Sequence, residues 1–76
     1  MSYLLTLQDA LNKKAGTTGL SKQGAMNALA GTTGLTLQDA ANKYAGTTGL
    51  SVQQALNVKI GTVGTLLTEQ EAANKL

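Results

Sequence analysis

Five asparagines stand at one position of a recurring pattern, Asn12, Asn27, Asn42, Asn57 and Asn74, and each follows a glutamine by four residues: Gln8, Gln23, Gln38, Gln53 and Gln70. A primary amide offers two N–H donors and a carbonyl acceptor. A row of them can ladder against a ligand or a partner strand, or it can satisfy the backbone of a neighbouring segment. Asparagine is a poor choice in mid-helix, where its side chain competes with the backbone. Its return in every copy therefore favours the structural use, the satisfaction of an adjacent linker. The glutamines read the same way, as partners for exposed amides of a first helical turn.

Other chemistry has little to draw on. The chain has no His and no Cys, and its four acids, Asp9, Asp39, Glu69 and Glu71, fall at expected helix starts, where the helix dipole accounts for them. Asp9 and Asp39 lie in different copies, so neither a carboxylate pair nor a metal cluster is supported by spacing. The Gly-Thr-Thr-Gly stretches at residues 16–19, 31–34 and 46–49 have the glycines of a phosphate cradle, yet no lysine follows as a P-loop requires. Turn formation explains them better. The expectation is no enzyme, no cofactor and no metal.

The elements that position these residues are written into a fifteen-residue unit opened by Thr6, Ser21, Thr36 and Ser51, with a truncated fifth copy opened by Thr68. The copies run 6–20, 21–35, 36–50, 51–67 and 68–76, and together they make one repeat domain, 1–76. Each opening residue is an N-cap type, and Asp9, Asp39, Gln54 and Glu71 follow three positions later, so four copies resemble a capping box. Leu5, Leu20, Leu35, Leu50 and Leu67 precede the caps, and Ala10, Ala25, Ala40, Ala55 and Ala72 occupy the fourth helical position, the spacing of a hydrophobic staple. Gly16, Gly31, Gly46 and Gly61 stand where a helix ends in a left-handed residue. The result is helices of about nine residues, too short to be stable alone. A β-solenoid is disfavoured, because Q-x-A-x-N lacks β-branched alternation and the caps would go unexplained.

The apolar stripe is rich in Ala, with Leu11, Met26, Leu29, Tyr44, Leu56 and Ile60 as the larger plugs. Over it lies a second period. Copies one, three and five pair an acid with Lys at i,i+4 (Asp9 with Lys13, Asp39 with Lys43, Glu71 with Lys75), whereas copies two and four have Gly24 with Ala28 and Gln54 with Val58. The pattern predicts an all-α, solenoid-like array of five short helices stacked as hairpins, with even helices enclosed by their neighbours or by a partner. Two extra residues before the fifth copy suggest that the last helix docks differently and caps the array.

With 76 residues, a net charge of +2 and scattered lysines, the chain has no nucleic-acid footprint. Its apolar runs are too short for a membrane span, and residues 1–7 lack a basic n-region, so no secretory signal is expected. A core this small invites help from a partner.

The runs at residues 6–20, TLQDALNKKAGTTGL, and 36–50, TLQDAANKYAGTTGL, resemble the AGTTGL repeats of small structural proteins of tailed bacteriophages. The resemblance covers nearly the whole chain, weakest in the fourth copy and the stretched fifth. It implies a virion component made in the host bacterial cytoplasm, whose partners are other virion proteins, a major capsid or tail protein, met in many copies. A capsid decoration or cement-like role is the first expectation. A tail tip or fibre component is the alternative within that class, and a host-surface carbohydrate or peptidoglycan binding module the alternative outside it. Partner contacts are expected at Ala28 and Val58, on the uncharged faces, and at Tyr3, Leu4, Leu66, Leu67 and Leu76, the apolar residues outside the repeat.

Overall fold

Each opening residue does cap a helix. The computed structural model describes residues 4–76 and contains α1 (Leu7–Ala15), α2 (Lys22–Ala30), α3 (Leu37–Ala45), α4 (Val52–Ile60) and α5 (Glu69–Asn74). In all five, the side-chain oxygen of Thr6, Ser21, Thr36, Ser51 or Thr68 accepts the N3 backbone N–H at 3.1 Å. The reciprocal half of the capping box forms only at Gln54 and Glu71, whose side chains accept the cap N–H at 3.1 Å. Asp9 and Asp39 were expected to do the same and do not, being one methylene shorter than Glu. At the other end Gly16, Gly31, Gly46 and Gly61 take φ of 74° to 79°. The next N–H, that of Thr17, Thr32, Thr47 or Thr62, donates to the carbonyl of the helix asparagine at 2.9 Å, the six-to-one bond of a Schellman ending.

Burial follows the repeat. The N4 and N5 residues of every helix are buried: Ala10 and Leu11, Ala25 and Met26, Ala40 and Ala41, Ala55 and Leu56, Ala72 and Ala73. Of the six expected plugs, Leu11, Met26 and Leu56 are fully enclosed, whereas Leu29, Tyr44 and Ile60 are half-buried and pack against the edge of the core. Tyr44 also lies under the Lys59 ammonium, 4.6 Å from the ring centre, a cation–π contact that ties α3 to α4. The leucines before the caps pack on the core, apart from Leu20, which is 37% exposed.

The all-α array is present, and each helix packs on its neighbour in sequence: α1 on α2, α2 on α3, α3 on α4, α4 on α5. A further interface joins α5 to α1, so the array closes into a ring. No described helix packs on a helix that is not adjacent to it around that ring. Its Cα extents of 33 × 27 × 13 Å are those of a disc one helix layer thick. The radius of gyration, 11.3 Å, and the surface, 4439 Å², match the ~11 Å and ~4400 Å² of an ordinary globular chain of this size. Closure thus gives every helix two neighbours, which an open stack denies its terminal members.

Two finer expectations give way here. The charge alternation suggested pairs of helices as the stacking unit, but the Asn–Leu bonds between consecutive copies are the same at every step, so the backbone repeats one helix and one linker. The fifth helix does not dock differently. Its Gln70 and Asn74 clamp Leu5, near the chain's beginning, as the other pairs clamp their leucines, without the bond from a linker threonine.

Candidate interaction surface

The asparagines and glutamines build the junctions. Asn42 illustrates the set: its Nδ2 donates to the Gln38 carbonyl at 2.9 Å and the Leu50 carbonyl at 2.8 Å, while its Oδ1 accepts from Thr47 Oγ1 at 2.8 Å and the Leu50 N–H at 3.1 Å. Gln38 Nε2 donates to the same Leu50 carbonyl at 2.9 Å. One amide therefore clamps the residue ahead of the next helix from both sides. Asn12, Asn27 and Asn57 repeat this set on Leu20, Leu35 and Leu67. Asn74 closes the ring on Leu5, accepting its N–H at 3.0 Å and donating to its carbonyl at 2.9 Å, with Gln70 donating to that carbonyl as well. Asn12, Asn27, Asn42 and Asn57 are buried, and both lone-pair positions and both N–H groups of each are in use. Such amides have nothing left to offer a ligand, and no buried side-chain polar atom among the described residues lacks a partner.

The linkers are occupied in the same way. The N–H groups of Gly16 and Thr17 donate to α1 carbonyls, and that of Leu20 donates to Asn12, so amides a phosphate would need are engaged. Glu71 Oε1 accepts from Thr68, and no group of three or more His, Cys, Asp or Glu able to hold a metal occurs among the described residues.

What stays open is a surface groove found beside α3 and again beside α2. Beside α3 it is lined by Leu35, Asp39, Asn42, Lys43 and residues 47–49, with a volume of about 250 Å³. One copy earlier it is lined by Leu20, Gly24, Asn27, Ala28 and residues 32–34, and its volume is about 460 Å³. Every position lining the α3 groove recurs fifteen residues earlier, and Ser21 and Gln23 line the second-copy groove in addition. The larger volume follows from the side chains, because Gly24 and Ala28 replace Asp39 and Lys43. The exposed Leu20 and the exposed Ala28 make the second-copy groove the more apolar one.

The expected contact residues are not gathered in one patch. Ala28 is exposed in the α2 groove, while Val58, its counterpart on α4, is half-buried, and α2 and α4 do not pack together. Leu4 and Leu66 are each 50% exposed. Leu67 is half-buried and clamped by Asn57 and Gln53, and so belongs to a junction. Leu76 is half-buried in a cleft of about 290 Å³ at the ring closure, with Leu5, Lys13, Lys14 and Asn74. Tyr3 lies outside the described residues. The sequence reading passed over Leu20 and Val63, the latter 60% exposed. The signal for the groove was Gly24, an unforced glycine in a first helical turn whose companion change is Ala28.

No described helix is long and apolar enough to cross a membrane. Compared with known proteins, the chain matches no family model, no curated protein and no solved structure.

Proposed function

We propose that this chain is a structural accessory protein of a bacteriophage virion that packs in many copies on the capsid lattice and stabilises or decorates it by burying apolar surface. The observation that supports this reading is the open groove on α2. Three of the five copies place an acid and a lysine at N3 and N7, and the second alone has Gly24 and Ala28 beside an exposed Leu20. A closed ring that leaves the N3 and N7 positions of α2 without charge, beside an exposed Leu20, is suited to receive an apolar side chain of a neighbouring protein. The resemblance of the repeats to phage structural proteins supplies the particle. The part played is mechanical: a partner that binds only folded, assembled subunits adds stability by mass action.

Transplanting the third copy's charges into the second tests this. Gly24→Asp with Ala28→Lys should leave the ring folded. A Cβ at Gly24 meets Leu20 Cβ and Ser21 Oγ at 3.4 Å, which is ordinary contact, and the new pair has the i,i+4 spacing already used in copies one and three. The variant should melt no lower than the original and should no longer co-sediment with purified virions. Undiminished co-sedimentation would remove the groove from the reading. Mass spectrometry of separated heads and tails then gives the location. Recovery in heads is expected, recovery in tails would favour a tip or fibre role, and absence from both would end the virion proposal.

A further inference from the structure

The connection between α4 and α5 departs from the other linkers. It carries two extra residues, yet Leu67 still reaches the junction, where Asn57 accepts its N–H at 2.8 Å. The surplus bulges outward, folded by a bond from the Thr65 N–H to the Thr62 carbonyl at 3.1 Å, and it carries Val63 and Leu66 into solvent, 60% and 50% exposed. The helix that follows has six residues where the others have nine, and its Asn74 is not fully buried. On its far side α5 has no covalent connection to α1; among the described residues it is held there by the Gln70 and Asn74 bonds to Leu5 and by the packing of Ala72, Ala73 and Leu76.

We infer that α5 is exchanged between two copies of this chain, each ring keeping its own α1 to α4 and receiving α5 from the other. Every bond of the closed junction is reproduced in the exchanged form, because the donated helix presents the same Gln70 and Asn74 to an identical Leu5. What differs is the linker. Opening the Thr62–Thr65 turn lets residues 61–67 extend to at most ~25 Å, comparable with the 27 Å width of the disc. Two such linkers crossing between adjacent rings lie side by side, and Val63 and Leu66 of one copy bury against those of the other. The monomer leaves each of these side chains at least half exposed. Exchange of an identical element is a low-cost route to a dimer, and the element exchanged here is the shortest helix on the longest tether. The closed monomer wins in dilute solution, where α5 is always near its own ring, and the exchanged dimer wins at high concentration.

The experiment mixes unlabelled and nitrogen-15-labelled full-length chains, unfolds them, refolds them together at high concentration, and separates monomer from dimer by size. Both fractions are then treated with an amine-reactive cross-linker. Lys75 adjoins the cleft lined by Lys13 and Lys14, so α5-to-α1 cross-links form in either state. In the dimer fraction these cross-links should join light chains to heavy ones, and in the monomer fraction they should not. Dimers whose Lys75 cross-links are all of one mass would be side-by-side pairs and would overturn the exchange, as would the absence of any dimer. Deleting residues 65 and 66 restores the spacing of the other copies, so the helical spectrum should persist while the dimer fraction falls at least severalfold. A deletion variant that dimerises as readily as the original would also overturn it.

Discussion

Four of the ring's junctions are spanned by the chain and one is not, and the contrast separates what the repeat itself contributes from what continuity of the backbone contributes. At the Asn42 junction a buried amide makes four hydrogen bonds, and the linker it organises is part of the same chain. At the closing junction Asn74 makes three, with no bond from a threonine hydroxyl, and it is only partly buried. The geometry of the two is otherwise the same. The amide clamp and the packing across the junction are therefore enough to hold neighbouring helices together without a linker, while the linker determines how firmly they are held.

Joining the ends should have the largest effect. A chain in which Leu76 is followed by Ala-Gly-Thr-Thr-Gly and then runs directly into Leu5 turns the closing junction into one like the others. Removing a free end from a loop of this length costs the unfolded chain about 4 kcal/mol of closure entropy, an upper figure in practice. The cyclised protein should show a urea midpoint displaced to much higher concentration at little change in slope. An unchanged midpoint would mean that the closing junction is not the weak one.

The amides themselves sharpen the contrast. Asn57→Ala removes a fully enclosed side chain and leaves the Gln53 and Leu67 backbone groups and the Thr62 hydroxyl short of a partner, so a loss of about 3 kcal/mol is expected. Asn74→Ala, with water able to replace the lost bonds, should cost about 1 kcal/mol. Chemical unfolding of the two variants side by side decides the matter. Equal losses would show that chain continuity adds nothing to a junction.

Much of this was legible in the residues. Caps, left-handed glycines, the alanine stripe and the structural use of asparagine follow from short-range rules, each acting within one copy. Closure does not, because the angle between successive helices is set by packing across the junction and has no local signature. One signal was nevertheless available. There are five asparagines and five leucines ahead of caps; Asn12, Asn27, Asn42 and Asn57 are each followed by their leucine, which leaves Asn74 and Leu5 unmatched at opposite ends of the chain. The ring pairs them with each other. The contact surface was less legible, since the sequence left open whether neighbours or a partner cover the uncharged faces; within the ring Ala28 lies in an open groove and Val58 in a half-covered position.

The caps provide the finest test of the same contrast. Thr36→Ala and Thr68→Ala each remove the acceptor of one first-turn amide, a loss of about 1 kcal/mol in either helix. They should differ in where that loss is felt. Thr36 caps a helix connected by chain on both sides, so α3 opens only when the ring opens, and slowed folding or faster exchange should extend to amides in α2 and α4. Thr68 caps the helix with a free end. Its loss should speed hydrogen exchange at the Ala72 amide, which donates to the Thr68 carbonyl at 2.8 Å, by about fivefold, the factor that ~1 kcal/mol corresponds to. The α2 and α3 amides should hardly change, because local opening at one end does not require the whole structure to open. Native-state exchange read residue by residue by NMR makes the comparison directly. If Thr68→Ala accelerates exchange uniformly around the ring, α5 opens together with the rest, and the closing junction is as cooperative as the four that the chain itself spans.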